Sequence, residues 1–127
     1  MEIDKPEVLA EVGAVFARYE QALTSNDTAV LDELFSAAST TIRYGGAENL
    51  YGIEEIRAFR LSRPSTGLQR TLARTVITTY GDDFAIASTL FHRDSAKGKV
   101  GRQMQTWVRM PAGWRVVAAH VSVIDEP

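Results

Sequence analysis

Cysteine is absent from this 127-residue chain, and histidine occurs only twice. The first absence excludes disulfides and thiol nucleophiles. The second argues against a multi-histidine metal centre. Basic residues are not in excess either: 14 Lys and Arg stand against 16 Asp and Glu, for a formal net charge of -2. A nucleic-acid partner is therefore not expected, because such proteins normally carry a basic surplus on one face. No apolar run approaches the ~20 residues of a membrane span. The opening Met1 to Pro6 lacks the basic-then-apolar pattern of a signal peptide. A cytoplasmic chain with no membrane partner and no cofactor is the expectation. Phosphate loops, a Ser/His/Asp order and clustered metal ligands are missing too.

What remains is an ordinary globular composition, 45% hydrophobic and 24% charged, of a length that suits one domain spanning residues 1–127. The chain is organised around Gly101 to Ser122, which reads as two long strands joined by a Pro111-Ala112-Gly113 turn. Both tryptophans lie in it. Alternation along the second strand sets Val117, Ala119 and Val121 on one face and Trp114, Val116 and Ala118 on the other. Apolar residues on both faces imply cover on both faces. The chain's own helices supply one cover, and a second copy of the sheet is expected to supply the other.

Taken in order, Asp4 with Glu7 resembles a capping box. It opens a helix to about Thr24 whose inner stripe is Val8, Val12, Val15, Phe16, Tyr19 and Leu23. Ser25-Asn26-Asp27 caps a short second helix with Leu31, Leu34 and Phe35 turned inward. Thr40 to Tyr44 is strand-like, with Thr41 and Arg43 on one side and Ile42 and Tyr44 on the other. Ala47 to Tyr51 is a loop or short extended piece. A third helix, Ile53 to Arg63, ends at Pro64 and turns Ile53, Ile56, Phe59 and Arg60 inward. Strands over Leu68–Tyr80 and Phe84–Arg93 precede the long hairpin. This order predicts an α+β fold, a cone-shaped curved antiparallel sheet with helices packed on its concave face. A small-molecule pocket is expected where the cone opens.

Several side chains draw interest. Arg43 sits mid-strand, keeps its charge, and needs either an anionic ligand or a structural acid such as Glu20 or Glu48. Tyr19 is the only hydroxyl on the inner stripe of its helix. It is either a core tyrosine bonded to backbone or a proton donor that a nearby cation would activate. Gln103, Gln105 and Trp107 share one strand face and suit either a polar planar ligand or a subunit interface. Arg57, Arg60 and Arg63 form a basic side answered by Glu54 and Glu55, unless Arg60 or Arg63 reaches the cavity mouth. His120 reads as structural and His92 as exposed. No inward Asp offers itself as a base for isomerase or dehydratase chemistry.

The sequence resembles the nuclear-transport-factor-like, or cystatin-like and SnoaL-like, α+β superfamily, and within it the AtzH-like group, a former domain of unknown function. The resemblance is carried by Phe16 to Leu23, Ile42 to Gly45, Glu48 to Gly52, Phe59 to Pro64, Gly101 to Arg109 and Gly113 to Ser122. It implies a homodimer formed through the sheet. It also implies an amidohydrolase acting on a small anionic substrate, a carboxylated urea or amide such as 1,3-dicarboxyurea. Tyr19 and Arg43 match the positions of the proposed catalytic pair. Gln105, Trp107, Phe59 and Arg60 are the expected substrate-binding set, and a pathway amidase is an implied partner. A non-catalytic anion-binding or assembly module, or an isomerase, is the alternative on the same fold. Met104 and Leu61 are larger than the group leads one to expect, which bears on pocket shape.

Overall fold

The computed structural model describes residues 1–127. Helix α1 (Pro6–Thr24) buries Val8, Val12, Phe16, Tyr19, Ala22 and Leu23, the stripe that the apolar spacing marks out. Asp4 does not cap it, contrary to expectation. The N-cap is Lys5, without a side-chain bond. The Asp4 carboxylate instead accepts from the Thr79 backbone N–H at 2.8 Å, so the start of the chain is pinned to the sheet. Helix α2 (Thr28–Leu34) is capped as expected: Asp27 accepts from the Val30 N–H at 3.2 Å. Leu31, Leu34 and Phe35 are all buried beneath it.

Strands β1 (Ile42–Tyr44) and β2 (Asn49–Tyr51) form a small antiparallel pair, followed by helix α3 (Ile53–Ser62). Strands β3 (Thr71–Tyr80), β4 (Phe84–His92), β5 (Lys99–Met110) and β6 (Gly113–Asp125) complete one sheet in the order β2-β1-β6-β5-β4-β3. The β3 strand starts three residues later than its β-rich sequence suggests. Gln69 and Arg70 are drawn to α1, where Gln69 donates to the Thr24 carbonyl and Arg70 grips Glu20. The sheet is not wholly antiparallel, because β1 runs parallel to β6. No hairpin joins those two strands, so turn geometry does not dictate their direction.

A β-bulge corrects the expected faces of β6. Thr106 opposes Ala118 and Trp107 opposes Val116, which leaves Val117 as the extra residue. Side-chain parity flips there. Trp114 and Val116 join Ala119 in the core under the helices, instead of facing away from it. Ala118 and His120 remain on the outer, convex side, where the His120 ring meets Tyr44 edge-on at 6.1 Å. His92 is exposed as expected and lies 2.7 Å from Glu126. Met104 and Leu61 are 55% and 77% exposed, so neither side chain packs beneath the helices. No helix is long and apolar enough to cross a membrane.

Candidate functional site

One row of residues crosses the concave face. Register places Leu50, Arg43, Ala119, Gln105, Ala87 and Ile77 side by side on adjacent strands. Arg43 and Gln105 are two strands apart, or about 10 Å at ~4.8 Å per strand. The residue between them is Ala119, a buried member of the core. Tyr19 comes down onto this floor from α1. Its ring meets Trp107 at 6.4 Å in an edge-on contact and Phe35 at 6.3 Å. No protein group bonds its hydroxyl, so the backbone-bonded reading of this tyrosine does not describe it.

Arg43 takes Glu48, not Glu20, as its acid. Its Nη1 donates to the Glu48 carboxylate at 2.8 Å, with both side chains largely buried. Gly45 makes that pair possible, since a Cβ there would stand 1.8 Å from the carboxylate oxygen. The guanidinium also lies 5.3 Å from the centre of the Phe59 ring, which holds it flat. Glu20 belongs to Arg70, which it receives through two bonds of 2.9 and 2.6 Å.

The third helix splits its basic side. Arg57 stays at the surface with Glu54 at 3.3 Å, as the solvated reading expects. Arg60 is buried, pairs with Asp32 and lies 4.8 Å over the Phe35 ring. Arg63 follows at the helix end, and its Nε and Nη2 are buried with no acceptor. Burial holds both guanidiniums below the usual arginine value, and Tyr19 and Arg43 lie within electrostatic reach of each.

Gln103 and Gln105 are buried under the helices, which places them away from any interface on the outer face. Both amides are oriented by a donor. The Gln105 oxygen accepts from the Trp107 indole N–H at 3.1 Å, and the Gln103 oxygen accepts from Arg70 at 3.0 Å. Each amide therefore points an unpaired NH2 group into the interior. Trp107 is itself fully buried and acts on the floor through Gln105.

Sequence reading overlooked Arg93. Its signal is the alternation of Ala85, Ala87, Thr89 and Phe91 on the inner face of β4, which Arg93 continues one residue past the strand. Arg93 and Arg70 both lie against the Phe91 ring, at 4.8 and 4.6 Å. That ring in turn covers Gly101, where a Cβ would stand 2.0 Å from it. The Nε of Arg93 is buried without an acceptor, and burial pushes the guanidinium down from its usual value. None of the roomier clefts on the surface is lined by Tyr19, Arg43 or Arg63. The largest, of 550 Å³, runs past Asp32, Phe35 and Arg115.

A curved sheet of six strands roofed by three helices defines a protein of the cystatin-like, nuclear-transport-factor-like class. Within that class the chain belongs to the AtzH-like family, whose pattern matches residues 1–127. It is similar to a DUF3225-family protein of unknown function from Pectobacterium atrosepticum, at 65% identity over 97% of this chain and 95% of that one (TM-score 0.95). A cystatin-like fold protein from Burkholderia xenovorans is 47% identical, over 100% and 99% of the two chains (TM-score 0.96). An NTF2-like superfamily protein from Salmonella enterica is 25% identical, over 95% and 92% (TM-score 0.69). No curated protein matches the chain.

Proposed function

We propose that the protein hydrolyses a small carboxylated urea or amide, of the 1,3-dicarboxyurea type, with Tyr19 and Arg43 as its catalytic pair. The observation that carries this reading is the unbonded phenol of Tyr19, set on the floor of the cone within reach of Arg60, Arg63 and Arg93. A phenol with no structural bond to maintain is free to act on a bound ligand.

Arg43 binds the substrate carboxylate. Glu48 occupies only its Nη1 atom, which leaves the Nε and Nη2 edge for a two-pronged contact. Water attacks the carbonyl carbon, and the carbon–nitrogen bond breaks. Tyr19 donates its proton to the departing nitrogen and recovers one from the attacking water. The neighbouring guanidiniums stabilise the phenolate and the developing oxyanion. Glu48, Asp32 and Glu20 are each held by an arginine. No carboxylate of this cluster is left free as the base an isomerase would need, which favours hydrolysis.

Turnover is the test. Native protein is incubated with 1,3-dicarboxyurea and carboxybiuret, and substrate loss and ammonia are followed by NMR. Loss that disappears in both Tyr19→Phe and Arg43→Ala, with folding intact, supports the reading. A native protein that turns over neither substrate, yet binds small anions, is the non-catalytic module instead. The implied amidase partner would supply such a substrate. The outer face of the sheet carries Tyr44, Tyr51, Met104 and Ala118, apolar and partly exposed, and supports the homodimer reading.

A further inference from the structure

We propose that Arg63 and Arg93, with the amide of Gln103, form a second anion subsite that makes the protein selective for ligands bearing two carboxylates. The proposal rests on the reading that Arg43 holds one carboxylate, and it concerns the other end of the ligand.

Two observations meet at this place. The first is an imbalance of donors over acceptors. Buried N–H groups on Arg63 (Nε and Nη2), Arg93 (Nε), Gln103 (Nε2) and Gln105 (Nε2) all lack a partner. Buried polar groups are nearly always paired, and each one left unpaired is costly. Every unpaired group of this lining is a donor. The partner that satisfies them is an acceptor carrying several lone pairs, and a carboxylate has about four. Neither amide can turn to supply that acceptor, because Arg70 and Trp107 already hold the two amide oxygens.

The second observation is an imbalance of charge. Glu48, Asp32 and Glu20 lie in contact with Arg43, Arg60 and Arg70. Arg63 and Arg93 have no carboxylate within ion-pair distance. Around Arg63 stand Tyr19, Arg60, Arg43 and Arg93, and around Arg93 stand Arg70, Glu20 and Tyr19. Apart from the engaged Glu20, all of these neighbours are cations or a phenol. A second negative charge on the ligand removes the imbalance, while a neutral amide in the same place leaves it standing.

Succinate and succinamate form a matched pair of probes, differing only in whether the second end is charged. Titration calorimetry on the native protein is expected to show succinate bound at least tenfold more tightly. Arg63→Gln and Arg93→Gln are expected to bring succinate down to the succinamate level, with a larger loss for succinate than for succinamate. Arg63→Lys should restore part of the difference. If these arginine variants do not fold, Gln103→Glu reads the same site. It places a carboxylate among the orphaned donors, and it is expected to raise the melting temperature and abolish the preference for succinate. Equal native affinities for the two probes overturn the subsite, as does an unchanged preference in the variants. The two readings fail separately. Selective succinate binding without turnover of any urea defeats the hydrolase and keeps the subsite. Turnover without that selectivity does the reverse.

Discussion

Tyr19 and Arg43 differ in what the fold asks of them. The Tyr19 ring is structural, wedged against Trp107 and Phe35, whereas its hydroxyl bonds nothing in the protein. Tyr19→Phe keeps the ring and removes only the proton donor. Stability should change by less than about 0.5 kcal/mol, because no internal hydrogen bond is lost. The reaction rate should fall by roughly 100-fold or more, the usual size of a lost general acid. Thermal melts beside kinetics check both halves. Arg43 is different, because removing it leaves Glu48, at 20% side-chain exposure, with the Ala47 N–H but no counter-charge. Arg43→Ala should cost about 1–3 kcal/mol of stability as well as activity, read from urea unfolding. Arg43→Lys keeps a charge but loses the planar fork, so KM should rise on the order of tenfold with little change in stability.

At the scale of elements, the site depends on close approaches that only small residues permit. Gly101 on β5 lies directly beneath the Phe91 ring, the surface against which Arg70 and Arg93 are held. Gly101→Ala forces that ring to move and the arginines with it. About 1–3 kcal/mol of destabilisation is expected from the overpacking. A loss of anion affinity should accompany it, although residue 101 carries no charge. Calorimetry on a variant that still melts cooperatively separates the two effects. The β6 bulge works at the same scale. One extra residue at Val117 turns Trp114 and Val116 inward, so that they share the core with Ala119.

The molecule as a whole carries an outer sheet face and a set of surface ion pairs. Met104 stands 55% exposed at the centre of that convex face. Met104→Lys should block the proposed sheet-to-sheet dimer, seen as half the native mass in light scattering, while the melting curve of the monomer is little changed. The surface pairs give an acid limit. Glu33, Asp82 and Asp125 are held below their ordinary values by hydrogen bonds from Arg18, Lys5 and Lys99. A depressed carboxylate contributes stability above its ordinary value and loses it as pH falls through the folded one. Lys5 and Arg18 are raised in turn, so their share persists through neutral pH and is lost only above 10.5. The urea midpoint should therefore be flat between about pH 5 and 9 and fall below about pH 4. Because these groups are exposed, 1 M salt should shrink the effect.

Periodicity by itself determined the helices, the long hairpin, the inner position of Tyr19 and the shared face of Gln103, Gln105 and Trp107. Those features follow from local repeats of 3.6 and 2 residues, which a chain displays before it folds. Tertiary structure alone decided the partners of the arginines. Arg43 goes to Glu48 because Gly45 lets the chain fold back. Arg60 goes to Asp32 because α2 packs beside α3. Arg63 and Arg93 go to none, because the one carboxylate near them, Glu20, is already held by Arg70. The bulge that reverses the faces of β6 was equally out of reach, since alternation is broken there by pairing with β5 and not by any local residue pattern. Ion pairs and bulges depend on groups that lie far apart in the chain, and no short-range pattern specifies them.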